Sequence, residues 1–125
     1  MPERALGFAY IGAAVVLTVY GQLVVKWRVN VMGAPPTGLS QNLRFLFSMV
    51  TSPWVLSGFA AAFGAAMAWM LAVSRLNLSY AYPFMSVTFP TILLCSYLLF
   101  GEPIRLGNII GVGLIVLGII VHSRA

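Results

Sequence analysis

Three groups of polar side chains stand out in an otherwise apolar chain, and each is of a type that can hold a charged or hydroxylated ligand. Thr18, Gln22 and Lys26 are spaced four apart, so on a helix they form one stripe running from a hydroxyl through an amide to an ammonium. Ser79, Tyr82 and Ser86, with Phe89 or Pro90, align in the same way inside LSYAYPFMSVTFPTILLCSYLLFGEPIR, residues 78–105. Glu102 and Arg105 close that stretch, near enough in sequence to pair. The chemistry these types offer is reversible binding, through amide and hydroxyl hydrogen bonds and charge-assisted contacts. Gln22 is costly against lipid, so its stripe is expected to face a bundle interior where the amide finds a partner.

The setting of these residues is a membrane. Of 125 residues, 61% are hydrophobic and 7% charged, with mean hydropathy +0.98, which excludes an ordinary soluble domain. No water-soluble domain remains to hold an enzyme site, so the chain is read as a non-enzyme with no cofactor. The net charge of +5 comes from seven bases against Glu3 and Glu102. The bases gather at the ends of apolar runs, where lysine and arginine anchor to headgroups, so nucleic acid is not an expected partner. Cys95 is the single cysteine, which gives neither an internal disulfide nor a partnered metal site.

The pattern predicts an all-α integral membrane protein with four transmembrane helices, over residues 5–25, 53–74, 79–100 and 106–121. The first closes at Lys26-Trp27-Arg28, a basic and aromatic boundary; it is too long for a cleaved signal peptide and lacks an A-x-A-like site. A Gly/Pro/Ser-rich connection through Pro35 and Pro36 follows. Residues 41–52 are too short to span, and read as an interfacial or re-entrant piece or an early extension of the second helix. The second span carries Gly58, Ala61, Ala62, Ala65, Ala66 and Ala68, small residues that let backbones approach; Trp69 and Met70 read as filler.

In the third span Pro83 and Pro90 each remove a helical N–H and weaken the bond to the carbonyl four residues back. The hydroxyls beside them either line a polar cavity or bond back to the bent backbone. Gly101 is expected to end this helix and Pro103 to open the next, with Glu102 near the new N-terminus as a cap. The fourth span presents Gly107, Gly111 and Gly118 on one smooth face, suited to helix association in a dimer. His122 and Arg124 beyond it read as interfacial. Arg4, Arg75 and Arg124 fall on one side and Lys26, Arg28, Arg44 and Arg105 on the other, so the charge bias is weak and either orientation is open.

A polar first helix, the A-Y-P-x-x-S of Ala81 to Ser86, the G-E-P of Gly101 to Pro103 and a glycine-rich fourth helix resemble the drug/metabolite transporter superfamily over nearly the whole chain. The resemblance implies a small multidrug resistance-like four-helix bundle. Within that superfamily the multidrug antiporters carry a membrane-embedded glutamate three residues before a glycine and eight before a lysine. Here these are Gly21 and Lys26, and the glutamate position is Thr18. No acid lies within any span, which argues against cation/proton antiport. The chain is more similar to the small flippase subunits that move undecaprenyl-phosphate-linked aminoarabinose across the bacterial inner membrane. The likeness rests on Gly21, Gln22 and Lys26, on Ala81, Tyr82, Pro83 and Ser86, and on Glu102 and Pro103. The first loop and the cluster Lys26, Arg28 and Arg44 depart from that pattern.

The resemblance implies a transporter of a polyprenyl-phosphate-linked sugar, or of polyprenyl phosphate itself, in the bacterial inner membrane, working as a homodimer or as a heterodimer with a paralogous small subunit. An anionic phosphate on a long apolar tail calls for bases at headgroup depth and a polar slot open sideways to lipid. Lys26, Arg28 and Arg105 would hold the phosphate, and Thr18, Gln22, Tyr82, Ser86 and Glu102 complete the expected substrate-binding set. Ordinary interfacial anchoring is the other reading of the bases. An auxiliary subunit that carries nothing is a third class, and would tolerate loss of Tyr82 and Gln22. No G-x-x-x-x-G-K-[ST] loop is present.

Overall fold

The computed structural model describes residues 2–33 and 37–125, so the expected loop through Pro35 and Pro36 lies outside the described residues. The chain forms α1 (Pro2–Met32), α2 (Leu39–Val50), α3 (Pro53–Val73), α4 (Leu78–Ala81), a 3₁₀ segment (Tyr82–Val87), α5 (Thr88–Phe100) and α6 (Leu106–Ser123), with no strand among the described residues. Four helices are long and apolar enough to cross a membrane, Glu3–Met32, Pro53–Val73, Leu78–Phe100 and Leu106–Ser123. The protein is therefore a multi-pass, all-α membrane protein. The first helix continues past the basic boundary to Met32, so Lys26 and Arg28 project from a helix rather than from a loop.

The core is the seam between α1 and α3. Ile11, Ala14, Val15 and Val19 are buried on one side and Ala61, Ala65, Ala68 and Ala72 on the other. Small side chains on α3 allow this approach, and it is tightest at two glycines. A Cβ added to Gly21 would stand 3.0 Å from the Gly58 carbonyl oxygen, and one on Gly58 would stand 3.3 Å from that of Gly21. Van der Waals contact, not apolar transfer, holds helices together in lipid, so backbone proximity of this kind is the main source of association. Ala62 and Ala66 are exposed instead.

The third span is one apolar run interrupted by its prolines. From Tyr82, with Pro83 in its first turn, the helix tightens to 3₁₀ through Val87, and α5 restarts at Thr88 with Pro90 in its first turn, where a missing N–H costs no intrahelical bond. Thr88 Oγ1 donates to the Met85 carbonyl at 2.8 Å and Thr91 Oγ1 to that of Val87 at 2.8 Å. Hydroxyls do bond back to the bent backbone, but they are these threonines.

Two elements are thinly covered. The twelve-residue α2 is a separate helix that packs on α3 and buries only Met49, leaving Leu39, Leu43, Leu46, Phe47 and Val50 exposed along one apolar stripe. At 1.5 Å per residue it is about 18 Å long, too short for a bilayer core of about 30 Å. Helix α6 touches the 3₁₀ segment and α5 and buries no residue. Cβ atoms added at Gly107, Gly111 and Gly118 would meet nothing within 4 Å.

Candidate functional site

The end of α5 sets the site. Gly101 adopts the left-handed conformation, with φ 67°, that favours a residue without a Cβ. Its N–H donates to the Tyr97 carbonyl at 3.2 Å, and the N–H of Glu102 reaches back to that of Ser96 at 3.3 Å. This fold-back turns the Glu102 side chain toward α1, where its Oε2 lies 3.6 Å from Lys26 Nζ. Both side chains are nearly half exposed, 48% for Lys26 and 43% for Glu102. A pair this open contributes at most about 1 kcal/mol. It orders the site without sealing it.

Four expectations are corrected here. Glu102 neither caps α6 nor pairs with Arg105. Residues 101–105 are non-helical, so Pro103 does not open the helix; the N-cap is Arg105, whose backbone N–H is taken by Asn108 Oδ1 at 3.0 Å. The asparagine supplies the cap that leaves the glutamate free to face Lys26. Gln22 is also not enclosed: it is exposed on this chain and makes no side-chain hydrogen bond among the described residues.

Gln22, Lys26, Ser96 and Glu102 line one cavity of about 340 Å³, walled by Leu23 and Ile92. Ser96 is buried and was not among the expected site residues. Its signal lay in the helical face already drawn through Tyr82, Ser86 and Phe89, which extends by two turns to Ser96. On the far side of Leu23 a groove of about 530 Å³ runs between Tyr20, Val24, Trp27, Trp54 and Leu99, and Trp27 and Trp54 meet edge to face at 5.6 Å. A polar slot and an apolar groove thus share one wall.

Thr18 and Tyr82 meet at a second cavity, of about 270 Å³, whose other walls include Ala62, Ala66 and Trp69. Trp69, read as filler from sequence, packs edge to face on Tyr82 at 5.7 Å. Of the expected set, Gln22, Lys26 and Glu102 therefore share one cavity and Thr18 and Tyr82 another. Ser86 is half-buried and lines neither. Arg28 Nε is shielded and donates no hydrogen bond among the described residues, and Arg105 is exposed outside both cavities. Gly107 and Gly111 border a third cavity of about 450 Å³ between α5 and α6, which shares Ile92, Ser96 and Glu102 with the first.

No family model matches the chain, and no solved structure matches it. Among curated proteins it is 31% identical to a relative from Pseudomonas fluorescens named as a probable 4-amino-4-deoxy-L-arabinose-phosphoundecaprenol flippase subunit ArnF, across 98% of this chain and 92% of the relative. It is 35% identical to a probable subunit ArnE of the same flippase from Aeromonas hydrophila, across 82% of this chain and 83% of the relative. A probable ArnF from Erwinia tasmaniensis is 32% identical across 92% of each. These relatives are transporter subunits rather than enzymes. On this similarity along nearly its full length, the chain belongs to the family of ArnE and ArnF flippase subunits.

Proposed function

We propose that the chain is one subunit of an inner-membrane flippase for undecaprenyl phosphate carrying 4-amino-4-deoxy-L-arabinose, and that the Lys26–Glu102 slot receives the headgroup. The observation that carries this reading is the shared wall: a polar cavity holding one cation and one anion adjoins an apolar groove across Leu23. A polyprenyl phosphodiester needs both, because its head must keep hydrogen bonds while its tail stays in an apolar environment. The amino sugar adds a cation on the far side of the ring from the phosphate. Lys26 takes the phosphate, Glu102 takes the sugar ammonium, and Gln22 and Ser96 bond the ring hydroxyls. The ligand thus replaces a weak internal ion pair with two external ones.

Movement between leaflets changes no covalent bond, and the slot lowers the cost of dehydrating the headgroup. The slot is open on this chain alone, which supports a second subunit closing it; the smooth face of Gly107, Gly111 and Gly118 on α6 is the proposed contact. Arg28 and Arg105 then add positive field near the mouth rather than direct contacts.

The test is ligand binding by the purified chain in nanodiscs, read by native mass spectrometry. Wild type should retain the aminoarabinose-linked lipid in preference to phosphatidylglycerol, and Lys26→Met should lower its retention by about tenfold or more, as loss of a charge-assisted bond implies. Retention equal to that of phosphatidylglycerol, untouched by Lys26→Met, would remove the reading.

A further inference from the structure

The end of the bundle opposite Lys26 carries a second basic and aromatic cluster. Arg4 and Lys26 lie 22 positions apart on α1, a separation of about 33 Å at 1.5 Å per residue, which matches a bilayer core of about 30 Å. At this far end Arg4 donates from Nη2 to the Tyr80 hydroxyl, and its guanidinium lies over the rings of Tyr80 and Phe8 at 5.1 and 5.9 Å. Tyr80 is fixed in turn. Its ring packs against Phe84 at 5.3 Å and His122 at 5.2 Å, and its backbone carbonyl is bonded to His122 Nε2 at 2.9 Å. Arg75 lies over Tyr10 at 5.4 Å.

These two arginines border a cavity of about 580 Å³ together with Glu3, Asn77 and Tyr80. Arg75 Nε stands 3.6 Å from Glu3 Oε2, beyond hydrogen-bond reach, and is otherwise shielded without a partner. The Glu3 side chain is 79% exposed, so it holds the guanidinium loosely. Arg75 Nη1 donates to the Leu71 carbonyl at 3.4 Å and to Ser74 Oγ at 3.1 Å, and Arg4 Nη2 to Tyr80, so each guanidinium is held in place by part of its N–H set while its remaining in-plane donors suit a phosphate. Arginines serving only as headgroup anchors would need no such oriented cavity.

We infer that Arg4, Arg75 and Asn77, braced by Tyr80 and His122, form a second phosphodiester site that takes the cargo lipid's headgroup at the opposite leaflet from Lys26. This rests on the proposed lipid-linked cargo. It gives the transporter a station at each end of its path, each with a cation poised beside a carboxylate that a phosphate displaces: Lys26 with Glu102 and Arg75 with Glu3.

The experiment is photoaffinity labelling of the chain in nanodiscs with an undecaprenyl phosphodiester that carries a diazirine beside the phosphate, mapped by peptide mass spectrometry. Labelling is expected both around residues 22–28 and around residues 75–80. Arg4→Lys with Arg75→Lys, which keeps charge but loses the fork, should cut labelling at 75–80 at least fivefold and leave that at 22–28 within twofold. Arg4→Gln with Arg75→Gln should match it, and Lys26→Met should do the reverse. Labelling at 22–28 alone, or labelling at 75–80 that excess phosphatidylglycerol removes or that survives both double substitutions, overturns the second site and leaves the proposed cargo standing. Absence of labelling at both ends overturns the cargo itself.

Discussion

Lys26 Nζ lies 3.6 Å from Glu102 Oε2, tying the last turns of α1 to the turn between α5 and α6. Because both side chains are nearly half exposed, removing either charge should barely change stability, by about 1 kcal/mol or less. The consequences for ligand should diverge. Glu102→Gln is expected to lower affinity for the aminoarabinose-linked lipid by about tenfold or more while leaving undecaprenyl phosphate unaffected or bound more tightly, since only the amino sugar needs the carboxylate. Titration of both lipids against wild type and variant measures the difference. Equal losses for the two would assign Glu102 to positioning Lys26 instead.

The α1–α3 seam should be intolerant at its centre. Gly21→Ala places a methyl carbon 3.0 Å from the Gly58 carbonyl, and both atoms belong to packed helices that cannot give way cheaply. A loss of about 1–3 kcal/mol is expected, visible as a lower unfolding temperature in detergent. Gly118→Ala, where nothing stands within 4 Å, should leave that temperature unchanged.

Much of this was legible beforehand, and particular residues show why. Four apolar runs of bilayer length follow from hydropathy alone, and a glycine two residues before Pro103 marks a helix end, which the left-handed backbone of Gly101 bears out. The partner of Glu102 was not legible. Sequence proximity pointed to Arg105, but α6 takes its cap from Asn108 and the fold-back at Ser96 swings Glu102 onto a helix far away in sequence. The division of the polar residues between two cavities was hidden for a similar reason. A helical stripe fixes which residues share a face, and the depth at which neighbouring helices cross decides which cavity each one reaches.

Tyr82 is held by Trp69 and shares its cavity with Thr18. Tyr82→Phe keeps the edge-to-face contact and loses the hydroxyl, whereas Trp69→Ala removes the brace. If the cavity lies on the headgroup path, Tyr82→Phe should slow translocation severalfold and Trp69→Ala at least as much, with neither changing binding at Lys26. Unaltered rates in both would take this cavity off the path.

The exposed stripe of Leu39, Leu43, Leu46, Phe47 and Val50 is proposed to lie in the headgroup plane, with Arg44 reaching water. With Cys95→Ser removing the native free thiol, an environment-sensitive fluorophore on Leu43→Cys should report an apolar environment in nanodiscs, and one on Gln41→Cys an aqueous one. Identical emission from the two positions would contradict the interfacial placement of α2.

Translocation itself tests the account most directly. The chain, reconstituted with the proposed partner subunit into liposomes carrying fluorescent undecaprenyl-phosphate-linked aminoarabinose, should equalise the lipid between leaflets, as read by its accessibility to a membrane-impermeant quencher. Lys26→Met should slow the exchange at least tenfold, and a fluorescent phosphatidylglycerol should not exchange above the rate of protein-free liposomes. Exchange of both lipids at one rate, or exchange unaffected by Lys26→Met, would contradict a carrier that holds its cargo at the Lys26–Glu102 slot.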